Sequence, residues 1–403
     1  MRMENSIKAL TFDAKKDGWE KSKGFVMRDV SMPVLDEKKN LEDALSVIVK
    51  IKYAGVCGSD RGLWYRKAFK DMVLSSLARE KKTLRITGHE FVGEVVEVGS
   101  MVSRLYHDPD EKNPVKIQKG SLVSGDSHVT CGRCFQCRIG EEHVCMNEAI
   151  LGISIDGIFA EYVKIPAKNL WAVDQKRVRP EIAAIYDPFG NAVHATTVTD
   201  FRGQRVAVFG AGAIGMFAIL LLQRFGAAKI IAVDVNEANL KMAKKLGAHE
   251  TVLIKTHKKS NDWEHDAEAV EKIMELTYGK GVDVSMEMAG APASFNNCIQ
   301  STRRGGHVVA FGIRDGDMTI PNFSRMIVVR GLTIHGIIGR QIFRTWQIAQ
   351  RMLSDKSNGI QDAIWNIILK KGKGTILDFK KFTPASFEKA MNEHPKIIFK
   401  IDG

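Results

Sequence analysis

The sequence predicts an α/β chain with a β-rich first part and a doubly wound parallel sheet after it. Three observations carry that prediction. Short apolar runs with strand-like alternation fill residues 1–56 and return at 151–175. From residue 206 onward, six apolar strands alternate with helical patterns. At the start of that rhythm, Val206 to Asp234 holds a strand, a glycine turn, a helix and a second strand in immediate succession. Strands that alternate with helices fold into a parallel sheet covered on both faces.

In the first part, IKALTF, GFVMRDV and ALSVIVKIKYAGV read as strands, and the alternation over Ser46 to Tyr53 predicts a half-buried one. That strand runs directly into Cys57-Gly58-Ser59-Asp60. From Ala68 to Glu80 the pattern turns helical, with Phe69, Met72, Val73 and Leu77 on one face. This helix either packs on the domain surface or walls the site that Cys57 begins. Glycines 88, 93 and 99 then bracket a strand that opens with His89 and Glu90. A histidine alone would be read as structural. With Cys57 upstream, the thiolate, imidazole and carboxylate form a donor set suited to Zn²⁺, and three protein donors leave one position open for chemistry.

Residues 103–120 are polar, contain Pro109 and Pro114, and read as an exposed loop. Next come Cys131, Cys134, Cys137 and Cys145. Four thiolates so close together fill a tetrahedral site and leave no room for substrate, the pattern of a structural zinc. An iron–sulfur cluster is the competing use of such a set. The run 151–175 reads as short strands and turns that finish this domain. Glu161 within it is either a strand carboxylate or an alternative ligand to the open metal.

The second part begins after Ala183–Thr199. Gly210, Gly212 and Gly215 form G-x-G-x-x-G between the Val206–Phe209 strand and a helix over Ile214–Phe225. The first glycine permits a tight turn, the second lets backbone approach a pyrophosphate, and the third lets helix and strand pack closely. Asp234 ends the next strand, at the distance where a carboxylate accepts hydrogen bonds from an adenosine ribose. It favours NAD over NADP, because it repels a 2′-phosphate. Helices over 237–246, 266–278 and 293–303 alternate with strands over 251–254, 282–288, 307–312 and 332–338. A helix over 343–354 and a mixed tail follow, and the tail is expected to return to the first domain.

The whole chain has 403 residues and a formal net charge of +12. Its lysines are scattered and no nucleic-acid motif accompanies them, so the expectation is a solvated basic surface and no nucleic-acid partner. No apolar run reaches the roughly 18 residues of a membrane span. The opening MRMENSIKALTF has no apolar signal core, which predicts a cytoplasmic protein. Four of the six cysteines fall in one cluster, which in that compartment means metal and not disulfides. Cys298, inside a helix, reads as a small core residue.

Together, C-G-S-D, G-H-E, the four-cysteine lobe and the dinucleotide motif resemble the zinc-dependent medium-chain alcohol dehydrogenase superfamily over nearly the whole chain. The stretches Asp187–His194, Asp234–Glu237, Glu287–Pro292 and Gly336–Arg340 are similar to its threonine-oxidising branch. The resemblance implies a GroES-like catalytic domain over 1–185, a Rossmann NAD-binding domain over 186–334, and a segment over 335–403 returning to the first. It implies a catalytic zinc on Cys57, His89 and Glu90, a structural zinc on the four cysteines, and Ser59 in a proton relay. Cofactor contacts would come from Ile214, Asp234, Phe311, Gly312, Ile313, Ile337 and Ile338. The implied reaction passes a hydride from a small secondary alcohol to NAD, with L-threonine as substrate and a sugar or polyol as the alternative, in a homotetramer. Two positions depart from the pattern: the relay histidine is Gly62, and the cofactor arginine after the second strand is Asn239. The segments between Cys57 and His89 and over 103–120 are also longer than usual. Cys57 to Arg61 is similar to archaeal-type glucose dehydrogenases as well, which keeps the sugar alternative in view.

Overall fold

The computed structural model describes residues 6–20, 22–105, 116–255, 261–314 and 316–402. The centre of the loop expected over 103–120 lies outside those residues. The chain divides into two compact units, one of residues 1–187, 350–356 and 364–403, the other of 188–349 and 357–363.

The first unit is built on the Ser46–Gly55 strand. Its β-branched sequence, SVIVKIK, favours extended backbone. It pairs antiparallel with Glu90–Val98 along one edge. Its other edge is shared, with Tyr162–Pro166 on its first half and Ile398–Lys400 on its end. Paired on both sides, it is more buried than a half-buried strand, and Val47 to Val49 are inaccessible. The sheet runs on through Leu122–Gly125 and Leu170–Ala172 at one side and Ile376–Asp378 at the other; of the segment 335–403, residues 350–356 and 364–403 fall in this unit and 335–349 and 357–363 in the other. A small sheet of Val26–Ser31, Ser6–Asp13 and Leu84–Ile86 completes it.

The helix expected over 68–80 spans Lys70–Arg79, entered through Phe69 in the left-handed region at φ +66°. Its buried face is rotated from the expectation. Val73, Ser76 and Leu77 face inward and Met72 faces solvent. The cause is polar: Ser76 Oγ accepts a hydrogen bond from the buried Arg85 guanidinium at 3.1 Å, and Glu80 and Asp156 pair with the same group.

The second unit holds six parallel strands in the order Glu250–Leu253, Lys229–Asp234, Arg205–Phe209, Val282–Glu287, Thr302–Ala310 and Thr333–Gly336. In chain order this is 3-2-1-4-5-6, the doubly wound order whose ligand crevice lies beyond the carboxyl ends of the strands, where the direction of winding reverses. The glycine turn leads into the Ala213–Arg224 helix, buried from Gly215 to Leu222. One helix was not expected: Tyr186–Ala195, inaccessible along its whole length.

Candidate active site

Antiparallel register assembles the first site. Gly55 stands opposite Glu90, so the end of one strand, leading to Cys57, meets the start of the other, carrying His89. Donor atoms of Cys57, His89 and Glu90 lie within 4.8 Å of one another. Close approach demands glycine at 55, because a Cβ there would fall 2.1 Å from Glu90 Oε2. Glu90 is fully buried, and its Oε1 has no hydrogen-bond partner. A buried carboxylate oxygen left without a donor is costly, and a cation between the three groups would satisfy it. The donor set therefore fits a zinc ion with one open position.

Two residues that sequence reasoning passed over organise these donors. Asp60 is inaccessible, accepts the Cys57 amide at 2.8 Å through Oδ2, and faces His89 Nδ1 through Oδ1 at 3.6 Å. A carboxylate on one ring nitrogen orients the imidazole and leaves the other nitrogen for a metal. Burial pushes the Asp60 carboxyl up, against the pull of His89. Burial alone would lower the His89 imidazolium, but Asp60 and the Cys57 sulfur outweigh it and raise it to about 10. The second residue is Lys396, buried beside Glu90. Its ammonium donates to Val56 O at 2.8 Å and to Glu90 Oε2. Lys396 is brought here because Ile398 also pairs with Gly55. The C-G-S-D spacing could have signalled Asp60; nothing local could have signalled Lys396.

Ser59 Oγ lies 3.2 Å from His89 Nε2, inside the donor cluster. Gly62, one turn further along the Gly58–Trp64 helix, is pressed against the inserted segment: a Cβ there would lie 2.9 Å from the Ala68 methyl. A side chain at 62 would press its Cβ into that methyl, so something would have to shift. Glu161 is not among these groups. Its carboxylate accepts the Lys8 amide at 2.8 Å, and its backbone bridges Lys8 and Ile51, so it serves strand pairing.

In the lobe, Cys131, Cys134, Cys137 and Cys145 also converge within 4.8 Å. Their sulfurs accept backbone amides as a metal-bound thiolate does. Cys145 Sγ takes Cys131 N–H at 3.3 Å and Asn147 N–H at 3.4 Å, and Cys131 Sγ takes Cys134 N–H at 3.3 Å. The amides of Arg133 and Cys134 hold Cys131 down to about 6, while burial pushes Cys137 up to about 12. Four thiols with no disulfide between them, tied to backbone donors, fit a closed zinc site. Cys298 stands apart, inaccessible in the core of the second unit.

In the second unit the expected cofactor residues gather at the carboxyl ends of the strands. Gly210 adopts φ +98°, and a Cβ at Gly215 would fall 1.9 Å from Gly210 O, so helix and turn touch through backbone. Gly212 caps the helix. Asp234 ends its strand beside this turn, accepting Ala211 N–H at 2.6 Å and Asn236 N–H at 2.7 Å. Phe311, Gly312 and Ile313 follow the fifth strand, with Ile313 exposed. Ile337 and Ile338 follow the sixth; Ile337 is buried and its amide bonds Ala310 O at 2.9 Å. Glu287, at the end of the fourth strand, was missed. It accepts Ala289 and Gly290 amides at 2.9 and 3.0 Å, and burial raises its carboxyl. Backbone amides at a helix start and an acidic residue at the next strand end suit a pyrophosphate and a ribose.

Two family models match the chain. The alcohol dehydrogenase GroES-like domain covers residues 43–175 and the zinc-binding dehydrogenase domain covers 213–355. The L-threonine 3-dehydrogenase of Caldanaerobacter subterraneus is 36% identical over 307 residues, 76% of this chain and 80% of that protein. That of Bacillus subtilis is 34% identical over 341 residues, 84% of this chain and 86% of that protein. A putative zinc-binding dehydrogenase from Clostridium scindens shares the fold, with TM-score 0.77 at 22% identity over 98% of this chain and 100% of its own. The protein is an oxidoreductase acting on a CH–OH group with Zn²⁺ and NAD. The chain belongs to the zinc-dependent medium-chain alcohol dehydrogenases, close to the L-threonine 3-dehydrogenases.

Proposed function

We propose that this chain oxidises the side-chain hydroxyl of L-threonine to 2-amino-3-oxobutanoate, with NAD as the acceptor. The observation that carries the chemistry is the buried Cys57–His89–Glu90 trio with one unsatisfied carboxylate oxygen and a serine hydroxyl beside it. The names of the relatives at 32–36% identity support threonine as the substrate. Cys57, His89 and Glu90 hold the catalytic zinc, and the four lobe cysteines hold the structural one. Lys396 engages one oxygen of Glu90 and leaves the other for the cation. When bound, zinc lowers the pKa of the substrate hydroxyl as a Lewis acid, and the nicotinamide takes the hydride. Ser59 accepts the hydroxyl proton. With glycine at 62, no imidazole stands one turn on to pass it further, and the proton leaves to water.

Self-association belongs to the same reading. Among the described residues, the Thr333–Gly336 strand ends the six-stranded sheet with one ladder edge unpaired, and Ile334, Val328 and Val329 are exposed. An open apolar edge favours pairing with a second copy, which supports self-association; the homotetramer is what the family resemblance implies. No helix among the described residues is long and apolar enough to cross a membrane, and a cytoplasmic location fits the free cysteines.

The test is NAD⁺ reduction by the zinc-loaded protein with L-threonine, D-threonine, 2,3-butanediol, sorbitol and glucose. L-Threonine is expected to lead in kcat/KM. Preference for sorbitol or glucose would replace the threonine reading with a polyol or sugar one. Ser59→Ala is expected to cut kcat by about 10²-fold or more, the scale of a lost proton acceptor, while zinc content holds. Unchanged turnover would remove Ser59 from the relay.

A further inference from the structure

Two histidines fasten the last two strands of the parallel sheet to each other. Thr302–Ala310 carries His307, and Thr333–Gly336 carries His335. In register His307 stands opposite Thr333 and His335 opposite Val309, so both side chains lie on one face of the sheet, two positions apart along it. His307 Nδ1 meets His335 Nε2 at 2.9 Å. The ring centres are 5.2 Å apart and the ring planes differ by 23°. Two ring radii and the contact between them add up to that separation only when the rings lie end to end. The two nitrogens therefore point straight at each other, with room for one proton between them. Among the described residues no other side-chain hydrogen bond joins these two strands, and the outer strand has no partner on its far edge.

Nothing around the pair supplies a counter-charge. Val284 stands opposite His307 on the next strand inward. The Pro292–Ser301 helix packs on the other face, against Val308. Arg303 is bound to Asp283, and Arg330 to the carbonyls of Ile299 and Thr302, while Arg304 acts on Arg330. Burial first and His307 second lower the His335 imidazolium below its ordinary 6.5, and no other charge acts on it. Both rings are half-buried, so water reaches them.

Protons can be counted on such a pair. When neutral, it keeps one proton between the facing nitrogens. A first added proton lodges on an outer nitrogen and leaves that bond in place. A second puts a proton on both facing nitrogens and a charge on both rings, and like charges so close repel. We infer that His307 and His335 form a proton-operated latch, which holds the edge strand on the sheet with one added proton or none and releases it with two. In the released strand the rings take up protons independently, so it binds one proton more than the latched one. Latching is thus complete above pH 6.5, and below it release gains up to about tenfold per pH unit. The strand runs directly into Ile337, whose amide bonds Ala310 O at 2.9 Å, and Ile338. On the reading that these two residues contact NAD, release also weakens cofactor binding.

Hydrogen exchange of the zinc-loaded protein at about pH 7.5 and about pH 5.5, on either side of histidine's ordinary value, tests the latch. Rates are corrected for the pH dependence of free amides. Amides of residues 333–337 are expected to exchange severalfold faster at the lower pH, relative to those of the Val282–Glu287 strand in the same sheet. His335→Gln and His307→Gln each keep a hydrogen-bonding side chain that takes up no proton, and in both the acid-dependent rise should vanish. No rise in the wild type, or an equal rise in either folded variant, overturns the latch. NADH affinity in the same buffers separates this from the cofactor reading. A weaker affinity at low pH in the wild type alone supports both. Faster exchange at unchanged affinity upholds the latch and removes Ile337 and Ile338 from the cofactor site.

Discussion

Asp60 offers no atom to the donor trio, yet both its oxygens act on it, one on the Cys57 amide and one on His89. Asparagine in its place would keep the shape and remove the charge. If Cys57, His89 and Glu90 hold zinc as proposed, Asp60→Asn is expected to weaken that site by 10–100-fold, the usual scale for such an orienting partner. Competition against a chelator would read this as one labile zinc per chain beside one retained by the cysteine lobe. Two equally retained ions would deny Asp60 that role. Gly62 invites a second test. Restoring histidine by Gly62→His is expected to destabilise the protein by about 1–3 kcal/mol through overpacking against Ala68, lowering the thermal midpoint, and Ala68→Gly should recover part of the loss. A rise in turnover without loss of stability would contradict the packing seen here. At this scale the sequence showed the donors, because thiol, imidazole and carboxylate are rare enough together to stand out. It did not show Lys396, which meets Glu90 from 306 positions away. It left Glu161 open, because a carboxylate on a strand looks the same whether it binds a metal or the Lys8 amide.

Among the elements, one carboxylate ties three strands of the parallel sheet together at their starts. Asp283, at the second position of its strand, accepts Arg205 N–H at 2.8 Å and Arg205 Nε at 3.1 Å through one oxygen and Arg303 Nε at 2.6 Å through the other. Burial pushes its carboxyl up, but the two arginines prevail and hold it down to about 2. A carboxyl depressed in the folded state contributes stability above its ordinary value of 3.8, and that contribution fades as pH falls towards 2. Asp283→Asn is therefore expected to lose about 1–3 kcal/mol at neutral pH, with wild type and variant converging below pH 3.8. Urea unfolding across pH 3–7 would show it, and a gap that does not change with pH would refute the ionic explanation. Elements were legible where their residues carried a pattern. The six strands were legible as apolar runs alternating with helices, and the glycine turn from its G-x-G-x-x-G spacing. The Tyr186–Ala195 helix had no such signal: it is buried on every side and carries no polar face to reveal its turn. The Lys70–Arg79 helix was visible, but its inward face was misjudged because a serine that binds Arg85 took the place expected for a methionine.

For the molecule as a whole, the cysteine lobe is where stability and metal meet. Phe135 and Met146 are exposed on it, so it has little apolar burial of its own. Metal binding supplies the folding free energy that such a segment lacks. Cys134→Ser is expected to leave one zinc per chain in place of two and to lower the thermal midpoint; full zinc content would refute the four-thiolate site. The division into a β-rich part and a parallel sheet was legible because each uses a different spacing of apolar residues. The closure of the first unit by the tail was only a general expectation, since pairing across hundreds of residues leaves no local pattern. That closure has a consequence during synthesis. All six strands of the parallel sheet lie before residue 337. The end of the Ser46–Gly55 strand, by contrast, waits for Ile398–Lys400 and Glu90 waits for Lys396. A ribosome adding about 5–20 residues per second needs roughly 3–12 s to cover that interval. A nascent chain halted in it carries every strand of the parallel sheet and a Cys57–His89–Glu90 cluster still without Lys396. Synthesis from N- to C-terminus therefore makes the surroundings of Glu90 among the last parts of the first unit to become available.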